Sequence, residues 1–171
     1  MPATDKKAKI GILGASGYTG AELVRLLLRH PRAEIALLTA DRRAGKPMAE
    51  VFPQFAPYHL PTLAALDAVD WKALKLDLVF CALPHGTTQK VIKDLFARLP
   101  AIKVVDLSAD FRLADVAAYA RWYGHPHAAP ELQKKRSTGS PKSIARRSKR
   151  RSSSPIPAAI RARPNWRSFR F

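Results

Sequence analysis

The sequence holds one cysteine, Cys81, and no acidic residue after Glu131. A lone thiol cannot close an internal disulfide, and no cysteine and histidine cluster has metal-ligand spacing, which argues against a disulfide-stapled or zinc-stapled scaffold. No apolar run approaches the ~20 residues that span a bilayer, and residues 1–8 are polar and charged rather than signal-like. Neither a membrane partner nor a metal is therefore expected, and the cytoplasm is the default setting.

The acids are missing from one region only. Residues 1–133 carry 17 Lys and Arg with all 13 Asp and Glu, while residues 134–171 carry 13 Lys and Arg alone. The formal charge of +17 is thus +4 on the first part and +13 on the tail. An evenly basic chain would point to nucleic acid or a membrane surface. Here the excess belongs to the tail, and so does any such argument.

What is present in the first 134 residues alternates in a regular way. Residues 9–14, Lys-Ile-Gly-Ile-Leu-Gly, read as a buried parallel strand ending in glycine. From Thr19 to His30, Ala21, Leu23, Val24, Leu27 and Leu28 recur at helical spacing until Pro31 stops the pattern. Glu34 to Thr39 is a second strand, followed by a basic turn through Asp41, Arg42, Arg43 and Lys46, which completes a right-handed βαβ unit. A proline-punctuated stretch from Met48 to Leu63 has no sustained period and reads as an irregular connection with at most short elements. Leu76 to Leu83, Thr87 to Leu99 and Ile102 to Leu107 predict strand, helix and strand, Val116 to Trp122 a helical turn, and the segment from Gly124 a loop. The expected fold is α/β, a doubly wound, mostly parallel Rossmann-type sheet over residues 8–134, incomplete, with a disordered basic tail over 135–171. The tail's mixture of Ser, Arg, Lys and Pro with isolated apolar residues cannot offset the entropy of ordering.

Between the first strand and the first helix stands Gly14-Ala15-Ser16-Gly17-Tyr18-Thr19-Gly20. In a dinucleotide loop Gly14 permits a tight turn, Gly17 admits a pyrophosphate to the backbone, and Gly20 lets the helix pack close to the sheet. The helix start adds free N–H donors and a favourable dipole. The spacing differs from the commoner Gly-x-Gly-x-x-Gly, and a glycine turn that merely packs is the competing reading.

The end of the second strand discriminates between nicotinamide cofactors, an acid binding a ribose 2′-hydroxyl and arginine a 2′-phosphate. Thr39, Arg42, Arg43 and Lys46 favour NADP, while Asp41 keeps NAD open as the less expected choice. Cys81, inside an apolar strand, reads as a buried structural residue and not a nucleophile. Pro84 and His85 follow a strand's carboxyl end, where open α/β sheets bind ligands, although a simple turn serves equally well there. His30 and His59 read as surface residues, His125 and His127 as loop residues.

Four segments in order, the one running from Lys9 to Leu23, Ala82 to Gly86, Asp106 to Arg112 and His127 to Leu132, resemble the N-acetyl-gamma-glutamyl-phosphate reductases over roughly residues 8 to 134. The related aspartate-semialdehyde dehydrogenases fit less well. The resemblance implies NADPH-dependent reduction of an acyl phosphate to a semialdehyde with release of phosphate, in arginine biosynthesis, by a homo-oligomeric enzyme acting on a small molecule. It also implies a cysteine thiolate that attacks the acyl phosphate and a histidine that moves protons. Neither has a matching position in this sequence, so the substrate and catalytic domain is expected to be absent and the chain inactive alone. Ser108 and Arg112 follow a strand's end and could meet the substrate's anionic groups, Arg112 through its bidentate fork, or form an ordinary surface pair.

The tail offers a reason. With codons started one base earlier, Arg136 to Ala145 permits alanine-valine-tyrosine-glycine-leucine-threonine-glutamate-isoleucine-tyrosine-arginine. In the same register Ser154 to Arg161 permits alanine-asparagine-proline-glycine-cysteine-tyrosine-proline, the family's nucleophile segment. A frameshift near Lys134 or Lys135 accounts for both. The alternatives are a nucleic-acid binder using the run Arg146 to Arg151, non-specific and salt-dependent, and a stand-alone NADP-binding module. Against the former, Trp166, Phe169 and Phe171 stand only at the chain's end and are not interleaved for stacking.

Overall fold

A computed structural model of the chain describes residues 6–133, together with the backbone of Ser137–Gly139 and Ala158–Ile160. Five strands form one parallel sheet: β1 (Ala8–Leu13), β2 (Ala33–Thr39), β3 (Leu63–Ala64), β4 (Leu78–Cys81) and β5 (Lys103–Asp106). Their spatial order is β3-β2-β1-β4-β5, every neighbouring pair parallel. The chain winds outward from β1 through β2 to β3, then crosses back to lay β4 and β5 on the other side. Where the direction reverses, between β1 and β4, the connections leave in opposite directions and a crevice opens at the strands' carboxyl ends.

The helices are α1 (Tyr18–Leu28), α2 (Met48–Val51), α3 (Trp71–Leu74), α4 (Thr88–Arg98), α5 (Val116–Tyr123) and α6 (Pro130–Gln133). Strand alternation divides the core between two faces. Ile10, Ile12 and Leu38 pack with Ala21 and Val24 of α1 and with Met48 and Phe55. Leu13, Leu37, Val79, Cys81 and Val104 pack on the opposite face with Ile92 and Leu95 of α4. Because both faces are covered, the strands can be apolar throughout, which is why they stand out in the sequence as continuous runs.

The fold is the doubly wound, parallel, Rossmann-type sheet that the pattern predicts, and the differences lie in its short pieces. The connection expected to hold at most short elements holds α2, a 3₁₀ turn over Pro53–Phe55 and, at its end, β3, whose positions the sequence did not mark. β3 pairs Leu63 with Leu38 and Ala64 with Thr39, and two residues are too few to leave a period. The four-residue helices α3 and α6 escaped for the same reason, although Asp70 caps α3 by accepting from the N–H groups of Lys72 and Ala73, each at 3.1 Å. In the tail only β6 (Ser137–Gly139) and β7 (Ala158–Ile160) are described, as a parallel pair, and the expectation of disorder otherwise lies outside the described residues. The basic run 146–151 and the rest of the two segments read in a shifted frame lie outside the described residues. Among the described residues no helix is long and apolar enough to cross a membrane.

Candidate functional site

The crevice holds a cleft of about 1100 Å³, and Gly14, Ser16, Gly17 and Thr19 line one side of it. Its size exceeds the ~300–1,000 Å³ of most small-ligand sites and suits an extended, two-part ligand. Gly14 has φ +80°, and a Cβ there would stand 2.6 Å from the carbonyl oxygen of Ala82. A Cβ on Gly20 would collide with the Gly14 carbonyl oxygen and stand 2.6 Å from Ala15 Cα. The two outer glycines are therefore steric necessities, Gly14 for the close approach of the ends of β1 and β4 and Gly20 for that of α1 to the loop. Gly17 differs: its φ is −88° and an added Cβ would meet only the Gly14 carbonyl oxygen, at an ordinary 3.5 Å. Nothing in the protein's own packing demands glycine there.

Gly17 is also the N-cap of α1, and no side chain caps the helix or places an acid in its first turn. The N–H groups of Tyr18, Thr19 and Gly20 thus have no intrahelical partner, and the positive end of an 11-residue helix faces the loop. Such an end is complementary to a phosphate. The Tyr18 ring itself is 89% exposed, tilted against Phe52 at 6.1 Å, and does not line the cleft.

Thr39 braces the loop from the end of β2. Its hydroxyl accepts from Gly14 N–H at 3.3 Å and its carbonyl from Ala15 N–H at 2.8 Å. It is buried yet reaches the cleft wall, beside Asp41. Arg42 and Arg43 are exposed just beyond that wall, and Lys46 pairs with Glu50 at 3.2 Å. The sequence placed an acid and cations on this turn, and of these it is the acid that lines the cleft.

Across the cleft, Pro84, His85 and Thr87 follow β4, and Leu107 and Ser108 follow β5. Two contacts tie these loops together. Asp110, fully buried, accepts the Gly86 N–H with both carboxylate oxygens, each at 2.9 Å, and the Tyr119 hydroxyl at 3.1 Å. His85 Nδ1 accepts the Ala109 N–H at 3.1 Å. Around them the Ser108 hydroxyl donates to Asp106 at 2.8 Å and accepts from Asp110 N–H at 3.0 Å. His127 accepts from Ala129 N–H through Nδ1 at 3.1 Å, so Nε2 carries the proton given to the Asp110 carbonyl at 3.0 Å. The buried Gln89 carbonyl accepts from Ala128 N–H.

Burial sets the protonation of this region. It pushes the Asp106 carboxyl up, against the lowering pull of the two Ser108 hydrogen bonds, and holds the His127 imidazole below its usual value of 6.5. Burial and then the Asp110 charge raise the Tyr119 phenol, so it remains a donor. Cys81 lies fully buried in β4, and desolvation followed by the Asp106 charge pushes its thiol well up. A thiol so placed is neither accessible nor ionised.

The structure thus brings Gly14, Ser16, Gly17, Thr19, Thr39, Pro84, His85 and Ser108 to one cleft. Tyr18, Gly20, Arg42, Arg43 and Arg112 do not line it, and Arg112 is exposed. The Ser108 hydroxyl is spent inside its own loop. Sequence reasoning missed Asp110 as a brace and His127 as a buried member of the cluster. It also missed the wall formed by Leu66, Asp67 and Trp71. The only available signal was that Asp110, Tyr119 and His127 fall close together around one loop.

A family profile described as semialdehyde dehydrogenase, NAD binding domain, matches residues 9–137. The chain belongs to this family. Within it, the chain is 74% identical over 128 residues to an N-acetyl-gamma-glutamyl-phosphate reductase of Afipia carboxidovorans, covering 75% of this chain and 36% of that protein. It is 57% identical over 131 residues to the reductase of the same name from Rhodospirillum rubrum, covering 75% and 37%. The chain therefore spans little more than a third of the length of these curated relatives. Among solved structures, an aspartate semialdehyde dehydrogenase with NADP from Candida albicans superposes with a TM-score of 0.57 over 90% of this chain and 42% of that one. At 19% identity that likeness concerns the fold alone. The matched profile is that of an NAD-binding domain, and the glycine loop and the uncapped helix end lie within the matched segment.

Proposed function

We propose that this chain is the dinucleotide-binding part of an N-acetyl-gamma-glutamyl-phosphate reductase, that it takes NADP(H), and that it cannot complete the reduction alone. The carrying observation is Gly17, a glycine that the fold does not need at the lip of a cleft lined by the α1 N-terminus. Adenosine would lie on the β2 side and nicotinamide on the β4–β5 side, the diphosphate between them accepting N–H bonds from the start of α1. The bound cofactor supplies a hydride to the acyl carbon. This chain's residues hold and orient it, and exclude water from one side.

Arg42 and Arg43 support NADP, since both are exposed beside the cleft wall and neither has an acidic partner within ion-pair distance among the described residues. Asp41 supports the second reading, NAD, because it lines the cleft itself. The acyl-transfer step needs an ionisable, accessible thiol. Cys81, the sequence's one cysteine, is neither, so reduction would require residues beyond the matched segment. Codons that permit the family's cysteine segment in a shifted frame are consistent with that arrangement, and resequencing of the bases for residues 130–165 decides it. No membrane partner enters this reading, and the chain's basic tail would touch nucleic acid only non-specifically. Solubility in the cytoplasm and homo-oligomerisation are expected of the full-length enzyme.

Titration with NADPH and NADH, followed by nicotinamide fluorescence, tests the binding. Saturable binding of NADPH in preference to NADH is expected, with no turnover of an acyl phosphate. Gly17→Ala should leave thermal stability nearly unchanged and weaken binding by at least about tenfold, because its methyl group occupies the approach of the diphosphate. Equal affinity for both proteins would refute the assignment of the loop.

A further inference from the structure

The cleft opens where the parallel strands end, and the turns that lead back into the sheet gather at the opposite end, where the strands begin. That end is basic. Lys6 and Lys7 precede β1, Arg29 and Arg32 lie between α1 and β2, Lys75 lies between α3 and β4, and Lys103 opens β5; all six are exposed. Strand pairing sets them side by side. Ala8 lies opposite Ala33, which puts Lys7 level with Arg32. Ile10 lies opposite Leu78, so Lys7 and Lys75 each stand three residues before a matched pair, and Lys103 is itself the partner of Leu78. The adjacent strands β2, β1, β4 and β5 thus each begin with at least one cation. At ~4.8 Å per strand the row is about 15 Å long.

Two ordinary uses of surface cations do not account for the row. The ion pairs among the described residues engage Arg25, Lys46 and Lys93, none of which belongs to it. Glu34 and Asp77 are acids on the same strand starts and turns, yet neither pairs with any of the six, and the Asp77 carboxylate accepts the Lys9 N–H at 2.8 Å. Cations also complement the negative ends of helices, an effect that fades within the last turn. Lys6 and Lys7 follow no helix among the described residues, and Lys103 lies beyond both the end of α4 at Arg98 and its cap at Leu99.

We propose that this end of the sheet is an interaction surface for the phosphate backbone of a double-stranded nucleic acid. The row carries charge without aromatic rings, since the exposed rings Tyr18, Tyr58 and Trp122 belong to other segments. Single strands are held by rings on which their bases stack, whereas a duplex keeps its bases stacked inside and offers a line of phosphates. A row of about 15 Å matches about four base pairs at ~3.4 Å per step. Contact with phosphates alone carries no base preference. Because the row stands at the far end from the cleft, a bound duplex leaves the cleft open.

The test measures binding of a short labelled DNA duplex to the 171-residue chain by fluorescence anisotropy over a range of salt. The tail is basic as well, so every variant keeps it. Lys7→Ala with Arg32→Ala removes two neighbours from the row, and Lys75→Ala with Lys103→Ala removes two more. Lys90→Ala with Arg121→Ala removes two exposed cations elsewhere and gives the same net charge. Each row pair is expected to lower the slope of log affinity against log salt by about 1.8, the value for two phosphate contacts. At about 0.1 M salt the affinity should fall about tenfold or more. The Lys90 and Arg121 pair should leave the slope unchanged, and all three variants should unfold at the temperature of the unsubstituted chain. If the row pairs lose nothing, or no more than the Lys90 and Arg121 pair, binding belongs to the tail or to net charge and the proposal is wrong. A single strand of equal length that binds more tightly than the duplex would overturn it. So would displacement of the duplex by NADPH at constant ionic strength, which would move the contact into the cleft.

Discussion

On the β1 side of the cleft, shape is set by side chains that are missing: Gly14 and Gly20 allow backbones to touch where a single Cβ would not fit. On the β4–β5 side it is set by side chains that are buried and polar, with Asp110, Tyr119, His127 and Gln89 closing hydrogen bonds inside the protein. The first is a steric device with no charge to protect. The second stores its order in desolvated groups, so its integrity depends on every partner remaining in place and in the right protonation state.

Breaking each side separately should show the difference. Gly14→Ala is expected to be the most damaging single change, about 4 kcal/mol, because it combines a left-handed backbone with a contact against a carbonyl that belongs to the sheet. Urea denaturation measures it, and a loss under about 1 kcal/mol would mean that Ala82 can retreat. Asp110→Ala should cost about 3 kcal/mol by the same measurement, since it strands the Gly86 N–H and the Tyr119 hydroxyl without an acceptor. Asp110→Asn, which keeps an acceptor, should recover part of that loss.

The smallest effect is a response to acid that only one side should have. Burial holds the His127 imidazole below 6.5, so the unfolded chain takes up the proton first. The stabilisation from neutral His127 is complete above that value and is lost as the pH falls through the lower, folded one. Between about pH 7.5 and about pH 5.5 the urea midpoint should drop, and His127→Gln should flatten the slope. An unchanged slope would remove His127 from the account.

The same contrast explains what could be read in advance. Strands β1, β2, β4 and β5 and helices α1 and α4 are visible because burial on two faces writes local runs and periods into neighbouring residues. The glycine loop is visible because its glycines recur at a fixed three-residue spacing, although the contact that requires Gly14 is made with Ala82 beyond β4. The polar side is written at long range. Asp110 meets Gly86 across 24 residues, and Gln89 meets Ala128 across 39. The segment from Asp106 to Arg112 could be recognised as a motif, yet its charges suggested anion binding. In the fold Ser108 and Asp110 face inward as braces and Arg112 faces solvent. β3 and α3 escaped because elements of two and four residues carry no period.

Cys81 gives this chain a built-in recorder of its own opening. Its sulfur lies on the sheet face covered by Ile92 and Leu95 of α4, in a strand with neighbours on both sides. A thiol reagent added to the folded protein must wait until α4 lifts from the sheet, so the labelling rate follows that core opening and ignores movement of the cleft loops. One atom, left idle by the chemistry, thereby counts how often this half of the core comes apart.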